Sequence, residues 1–326
     1  MLALSAGKRN NGLKVEKEKA LQKNLDAQQQ MLAEQKRVNQ AISRFVPNEF
    51  LTALGKSNIT EIALGDTVEK EVTVFFSDIR DYTSIAEALS PEDNFKFVNA
   101  YNARMGPIIQ KNNGFVNQYL GDGIMAIFPK SSEDALRAAI AMQQTIRQFN
   151  AERRAGGKRK IRVGMGLHSG SLIMGITGDE NRMDATTISD SVNSAARIEN
   201  LTKYYGAAIL LSEVSLKKLN NPSEFHLRYL GEVQVKGKLK PLKIYECFDG
   251  DTADMIAFKL ATLTQFEKGI QSYFEKSFAK AAYIFESITL QNNDDRIAQL
   301  FLKKAKALDV AGVREDWTGV EMMLGK

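Results

Sequence analysis

Between residues 71 and 211 the apolar pattern switches repeatedly between a strand period and a helix period, and that order leaves few folds open. Residues 71–78 (EVTVFFSD) are short, apolar and rich in β-branched and aromatic types, which predicts a buried strand. Residues 91–112 predict a helix with proline at its start, carrying Phe95, Val98, Tyr101, Met105 and Ile109 near helical spacing. Residues 115–120 and 124–128 flank Gly121-Asp122-Gly123, the pattern of a hairpin with a tight glycine turn. Residues 131–154 predict a helix capped by Ser131 or Ser132. Residues 161–168 and 172–175 read as two strands, 189–204 as a helix and 207–211 as a strand. Short strands at 225–230, 232–236 and 242–248 close the run. This order predicts an α+β sandwich of ferredoxin-like type: an antiparallel sheet with helices on one face.

The flanks differ. Residues 13–45 contain no Gly or Pro. Leu25 with Leu32 and Met31 with Val38 are heptad steps, continued by Ile42 and Phe45, so a parallel two-stranded coiled coil is expected, ended by Pro47. Lys8, Arg9, Lys14, Lys17, Lys19 and Lys23 supply much of the net charge of +5, which suits a solvated helix or a juxtamembrane one. From residue 251 the pattern is wholly helical. One stripe runs from Phe266 to Phe285 and a second from Ile297 to Ala305, like a single tetratricopeptide-like helical hairpin. One such repeat cannot bury its own face, so it must pack on something. The expected segments are therefore a coiled-coil helix at 1–46, a connector at 47–70, a main domain at 71–249 and a helical extension at 250–326.

Composition narrows the chemistry. One cysteine, Cys247, excludes a disulfide framework. No apolar run reaches a membrane span, and 1–7 is too short for a signal peptide, so the expected location is cytoplasmic, or the cytosolic part of a membrane receptor. A sensor would then precede residue 1. No basic patch is interleaved with aromatics, so no nucleic-acid partner is expected. With only His168 and His226 available, a metal must rest on carboxylates, and oxygen ligands suit magnesium or manganese. His168 reads as a structural residue at a strand end.

Asp78 ends a buried strand, where a carboxylate is costly unless compensated. Asp122 sits at a hairpin tip. If the two strands are neighbours, the carboxylates meet at one edge and suit a pair of divalent ions. Asp122 alone also fits a plain turn residue. Asn193 and Arg197, four apart, project from one helix face, which fits either a solvated face or a phosphoryl-transfer site.

Taken in order, Phe76-Ser77-Asp78-Ile79-Arg80, Gly121-Asp122-Gly123, Val192-Asn193-Ser194-Ala195-Ala196-Arg197 and Val235-Lys236-Gly237-Lys238 resemble the catalytic domain of class III adenylyl and guanylyl cyclases. The resemblance covers roughly residues 45–249, including the connector-like 44–50 (RFVPNEF). It implies that Asp78, Asp122 and the Ile79 carbonyl bind two divalent metal ions, Mg²⁺ or Mn²⁺. The loop 79–83, with Thr83, would wrap the triphosphate by its backbone N–H groups. Asn193 would orient the ribose, Arg197 would stabilise the transition state, and Lys236 would contact the β- and γ-phosphates. The metal residues and the Asn–Arg pair would come from different chains of a homodimer.

The base-reading pair departs from the adenylyl pattern. Gln118 stands where a lysine is usual, and Thr186 where an aspartate is. Threonine there resembles the class IIIb adenylyl branch, so the expected substrate is ATP, with a guanylyl cyclase or a silent nucleotide-binding domain as alternatives. Asp81 replaces a usual glycine and is expected to add negative charge beside the triphosphate.

Overall fold

The computed structural model describes residues 2–42, 45–234 and 241–322. The chain divides into two compact units. The first holds α1 (Leu2–Ile42), α2 (Asn48–Ala53) and residues 176–185. In α1 the apolar positions Leu25, Met31, Leu32 and Val38 are all exposed in the single chain. Phe50 and Leu51 of α2 are buried. Among the described residues no helix is long and apolar enough to cross a membrane.

The second unit starts with β1 (Thr67–Ile79), followed by the short α3 (Tyr82–Ala86) and by α4 (Pro91–Lys111), whose cap Ser90 accepts from the Asp93 N–H. β2 (Phe115–Leu120) and β3 (Gly123–Phe128) form the expected hairpin, and α5 (Ser132–Ala155) is capped by Ser131. Then come β4 (Val163–Gly178) and β5 (Met183–Ile188), whose residues 176–178 and 183–185 are counted with the first unit, and α6 (Asp190–Tyr205), β6 (Ile209–Ser212), α7 (Glu213–Leu216), β7 (Leu227–Gln234) and β8 (Leu242–Cys247). Four helices follow, α8 (Ala253–Ala261), α9 (Leu263–Phe274), α10 (Phe278–Gln291) and α11 (Arg296–Ala311), and then a two-residue β9 (Glu321–Met322).

Among the described residues the strands form one sheet in the order β2-β3-β1-β4-β6-β8-β7-β9, with β5 pairing β4 off this path. β1 lies antiparallel between β3 and β4, while β4–β6 and β7–β9 are parallel. Where the sequence suggests two strands at 161–175, β4 is continuous. Its polar middle is covered: Ser169 bonds Thr73 over 2.8 Å, and Ser191 of α6 lies over Gly170. β7 likewise runs through Gly231, whose φ of +118° accommodates a bulge against β8.

Helices cover both faces of the sheet, not one. Phe75, Phe128, Met165 and Leu167 pack under α4 and α5 with Tyr101, Met105 and Met142. The opposite face takes α6, because β4 presents glycines there. A Cβ on Gly166 would stand 2.2 Å from the Glu199 nitrogen, and one on Gly164 2.0 Å from the Thr202 hydroxyl. Only glycine allows so close an approach.

The C-terminal helices number four rather than two, and they pack on this second face. Ile198, Leu201 and Tyr205 of α6 share a core with Phe266, Phe285 and Phe301. Each aromatic side chain so buried contributes about 1.5–3 kcal/mol, enough to make helices and sheet one cooperative body.

Candidate active site

The sheet register sets Asp78 beside the β2–β3 turn. Ser77 of β1 pairs with Ile124 of β3, so the next residue, Asp78, reaches Gly123 and the turn before it. Gly121 turns the chain with φ +71°, and a Cβ at Gly123 would crowd the Ser77 carbonyl at 3.2 Å and the Asp78 carboxylate at 3.4 Å. Both flanking glycines are thus demanded by geometry, and Asp122 is delivered against Asp78. Burial, then the Asp78 charge and a hydrogen bond to Asp78, raise Asp122 to about 7, against the N–H groups of Asp122 and Ile79. Two carboxylates so placed repel one another until a cation comes between them.

A third acid was not legible as part of this site. Glu199 of α6 is also raised to about 7, by burial first and then by Asp78, while Arg80 opposes. Its position four residues after the buried Ala195 is the signal that places it on the inner face of α6. Among the described residues no three acids, histidines or cysteines converge as metal ligands. Two carboxylates with open positions is the donor set that magnesium takes when substrate phosphates and water complete its shell.

The segment after β1 is anchored more firmly than the sequence suggests. The Arg80 N–H donates to the Arg162 carbonyl at 2.8 Å, so it is already engaged and not free for a phosphate. The Arg80 side chain donates to the carbonyls of Thr202, at 2.9 Å, and Ala207, tying the end of β1 to the end of α6. Burial and the neighbouring Arg162 lower its pKa to about 10. Asp81 adopts the left-handed conformation, φ +58°, which explains why glycine suits that position. Its added charge is answered: Arg162 lies 3.1 Å and Lys203 3.9 Å from its carboxylate. Thr83 is exposed on α3.

α6 begins far from the carboxylates. Ser189 and Ser191 both donate to the Ser171 carbonyl, and Ser191 lies over Gly170. In the register Gly170 pairs with Val72, and Gly164 with Asp78. Six strand residues separate these points, about 20 Å at 3.3 Å per residue. Asn193, two residues after Ser191, is exposed and has no side-chain hydrogen bond to a described residue. Arg197 is half-buried. One chain therefore brings together Asp78, Ile79 and Asp122, while Asn193 stands on α6 six residues, about 9 Å of helix rise, before Glu199. Gln118 is exposed on β2 and Thr186 half-buried on β5, with β3, β1 and β4 between their strands. Lys236 lies outside the described residues. His168 is buried, its Nδ1 2.9 Å from the Ser212 hydroxyl, as a core residue should be.

Residues 66–248 match the family described as "Adenylate and Guanylate cyclase catalytic domain". An adenylate cyclase of Anabaena cylindrica is 43% identical over 217 residues, 65% of this chain. The chain spans only 43% of that relative's length. Among solved structures, the adenylyl cyclase CyaB from P. aeruginosa is 31% identical with a TM-score of 0.51, covering 56% of this chain and 95% of its own. The guanylyl cyclase Cya2 is 28% identical with a TM-score of 0.50, covering 55% and 92%. With the sheet, the opposed aspartates and the ordered motifs in place, the chain belongs to the adenylate and guanylate cyclase catalytic domain family.

Proposed function

We propose that this chain is an adenylate cyclase that works as a homodimer, converting ATP to 3′,5′-cyclic AMP and pyrophosphate. The observation that carries the reading is the placement within one chain: opposed carboxylates at one end of β1, and Asn193 exposed on α6 six residues, about 9 Å of helix rise, before Glu199, with no hydrogen bond to them. A second chain, turned about a two-fold axis, would bring its own Asn193 and Arg197 to that end.

In this reading Asp78, Asp122 and the Ile79 carbonyl hold two divalent cations, Mg²⁺ or Mn²⁺. When bound, such ions supply charge neutralisation and activate the ribose hydroxyl. Asp122 surrenders its proton on loading. Thr83 and the loop before it lie beside the triphosphate, and Lys236 contacts the β- and γ-phosphates. Asn193 of the other chain orients the ribose, and Arg197 spreads the charge that develops on the α-phosphate. The ribose 3′-hydroxyl gives its proton to water as its oxygen bonds to the α-phosphorus and the bond to the pyrophosphate oxygen breaks. Gln118 and Thr186 read the base across the interface.

The same reading assigns the remaining segments. Residues 1–46 form a signalling coiled coil with an upstream sensor, 47–70 a connector, 71–249 the catalytic region and 250–326 its helical extension. The exposed apolar positions of α1 support the coiled coil. A guanylate cyclase is the second reading, left open by Gln118, whose amide suits either base. Intact Asp78, Asp122, Asn193 and Arg197 argue against a silent domain. Purified protein with ATP or GTP and Mg²⁺ or Mn²⁺ tests the proposal. Cyclic AMP as the main product supports it; no cyclic nucleotide from either substrate overturns it.

A further inference from the structure

Arg153 differs from the other buried arginines of the molecule. It stands in the last turn of α5 and is only 8% exposed. Its Nε donates to the Arg159 carbonyl at 2.8 Å, and its guanidinium lies over the Phe97 ring at 4.5 Å. Arg228, more deeply enclosed, has two carboxylates, and the half-buried Arg80 has two carbonyls. The terminal nitrogens of Arg153 have no hydrogen bond to any described residue, and no carboxylate pairs with it. The stem of Arg153 is enclosed while its terminal nitrogens are not sealed from solvent and face the cleft, so the guanidinium offers free donors to an anion beside an apolar wall.

Arg153 opens into a cleft of about 770 Å³ between α3, α4 and the end of α5. That volume is in the range of small-molecule sites. Ile85, Leu89, Phe97 and Phe149 supply an apolar wall. The acids at the cleft are already engaged: Glu152 takes Arg104 at 2.7 Å, and Asp93 takes the Ser90 hydroxyl at 2.8 Å. Lys96 is paired with Glu92. Lys158 and Arg159, exposed at the turn after α5, leave the mouth positive.

We propose that this cleft binds a small carboxylate with an apolar body. The planar guanidinium offers two parallel donors, which match a carboxylate's two oxygens. The apolar and aromatic wall takes the rest of the ligand. A multiply charged phosphate would leave that wall unused and would want a second buried cation. The inference rests on no part of the cyclase reading.

Calorimetry on the full chain tests it, with octanoate as probe. Acetate and inorganic phosphate carry charge without an apolar body, and 1-octanol carries the body without charge. Octanoate is expected to bind saturably, one per chain, at least about tenfold more tightly than any of the three, because a charged hydrogen bond and apolar burial act together. Arg153→Lys, which keeps the charge and loses the fork, is expected to weaken binding roughly tenfold. Ala100→Phe fills the cleft from α4 and leaves Arg153 in place, and is expected to abolish binding. The proposal is overturned if octanoate shows no saturable binding, if 1-octanol or phosphate binds as well, or if both folded variants bind octanoate like the wild type. In those cases Arg153 is a solvated cation at a helix end.

Discussion

Arg228 forks onto Asp295, its two terminal nitrogens donating over 2.7 and 2.8 Å, while its Nε turns to Glu246. Phe266 lies under the guanidinium at 4.2 Å. Asp295 also caps α11, accepting from the Ala298 N–H at 3.2 Å. Lys259 of α8 completes the cluster, donating to Glu246 at 2.8 Å and to Asp251 at 2.5 Å. The last strands of the sheet and the helical extension are therefore joined through buried charge as well as through a shared core.

Removing Asp295 leaves the buried Arg228 with Glu246 alone, a carboxylate it shares with Lys259. Asp295→Ala is predicted to destabilise the protein by about 3–5 kcal/mol, read by denaturant unfolding. Burial disfavours the Asp295 charge, but Arg228 outweighs this and holds its pKa below the usual 3.8. A depressed carboxyl contributes stability above its unfolded pKa and loses it as pH falls through the folded one. This contribution should thus be intact at neutral pH and disappear only in strong acid. A loss under 1 kcal/mol would show that the ion pair does not hold the helices down.

The shared site has a stoichiometric signature. Asp78→Ala and Arg197→Ala are each predicted to lose about 100-fold or more of the cyclase rate. Mixed and allowed to exchange, half the dimers are heterodimers with one intact site of two, so about a quarter of wild-type activity should return. Heterodimers seen by mass with no recovered activity would place the whole site in one chain.

Metal loading should depend on pH. Asp122 and Glu199 both sit at about 7, well above a free carboxyl. Raised carboxyls bind extra protons in the folded state between about pH 4 and 7, so the metal-free protein loses their contribution as pH rises through that window. Magnesium needs the deprotonated form. The rise in Tm caused by Mg²⁺ is therefore predicted to be larger at pH 8 than at pH 6, measured against EDTA controls. An increment that ignores pH would detach Asp122 from metal binding.

Deleting α1 should weaken the dimer. Its exposed Leu25, Leu32 and Val38 fit a partner helix better than water. Specific activity of the shortened chain is predicted to fall more steeply on dilution than that of the full chain. Matching dilution curves would mean that α1 does not hold the subunits together.

Gln118→Lys should sharpen base choice. A glutamine amide both donates and accepts, whereas lysine only donates and so favours the ring nitrogen acceptor of adenine. The ratio of kcat/KM for ATP over GTP is predicted to rise roughly tenfold or more. A wild-type enzyme that already prefers GTP would reverse the adenylyl assignment.

Asp78 and Asp122 could be found from sequence because each breaks a local rule: one is a charge ending an apolar strand, the other a residue between two glycines. Glu199 could not, since its place near them depends on how closely α6 settles on Gly164 and Gly166. Asp81 looked like an uncompensated charge because Arg162 is 81 positions away, and its pairing exists only once β1 and β4 are side by side. The second helical face escaped for the same reason. Glycines in β4 read as weak points in a strand, when they are the bed on which α6 lies. The stripe beginning at Phe266 hid α8, whose apolar residues follow no clean period.

The packing of α6 also decides what can be exchanged between proteins of this kind. Its exposed residues include Asn193, and its buried ones, Leu201 and Tyr205, form part of the floor beneath α9 to α11. A gene fusion that grafted only residues 66–248 onto another protein would leave Arg228 with Glu246 but without Asp295, and would strip that floor. The inheritable cassette is the longer one, from β1 through α11, and a tug on the extension by any binding partner would reach α6 through rigid contact.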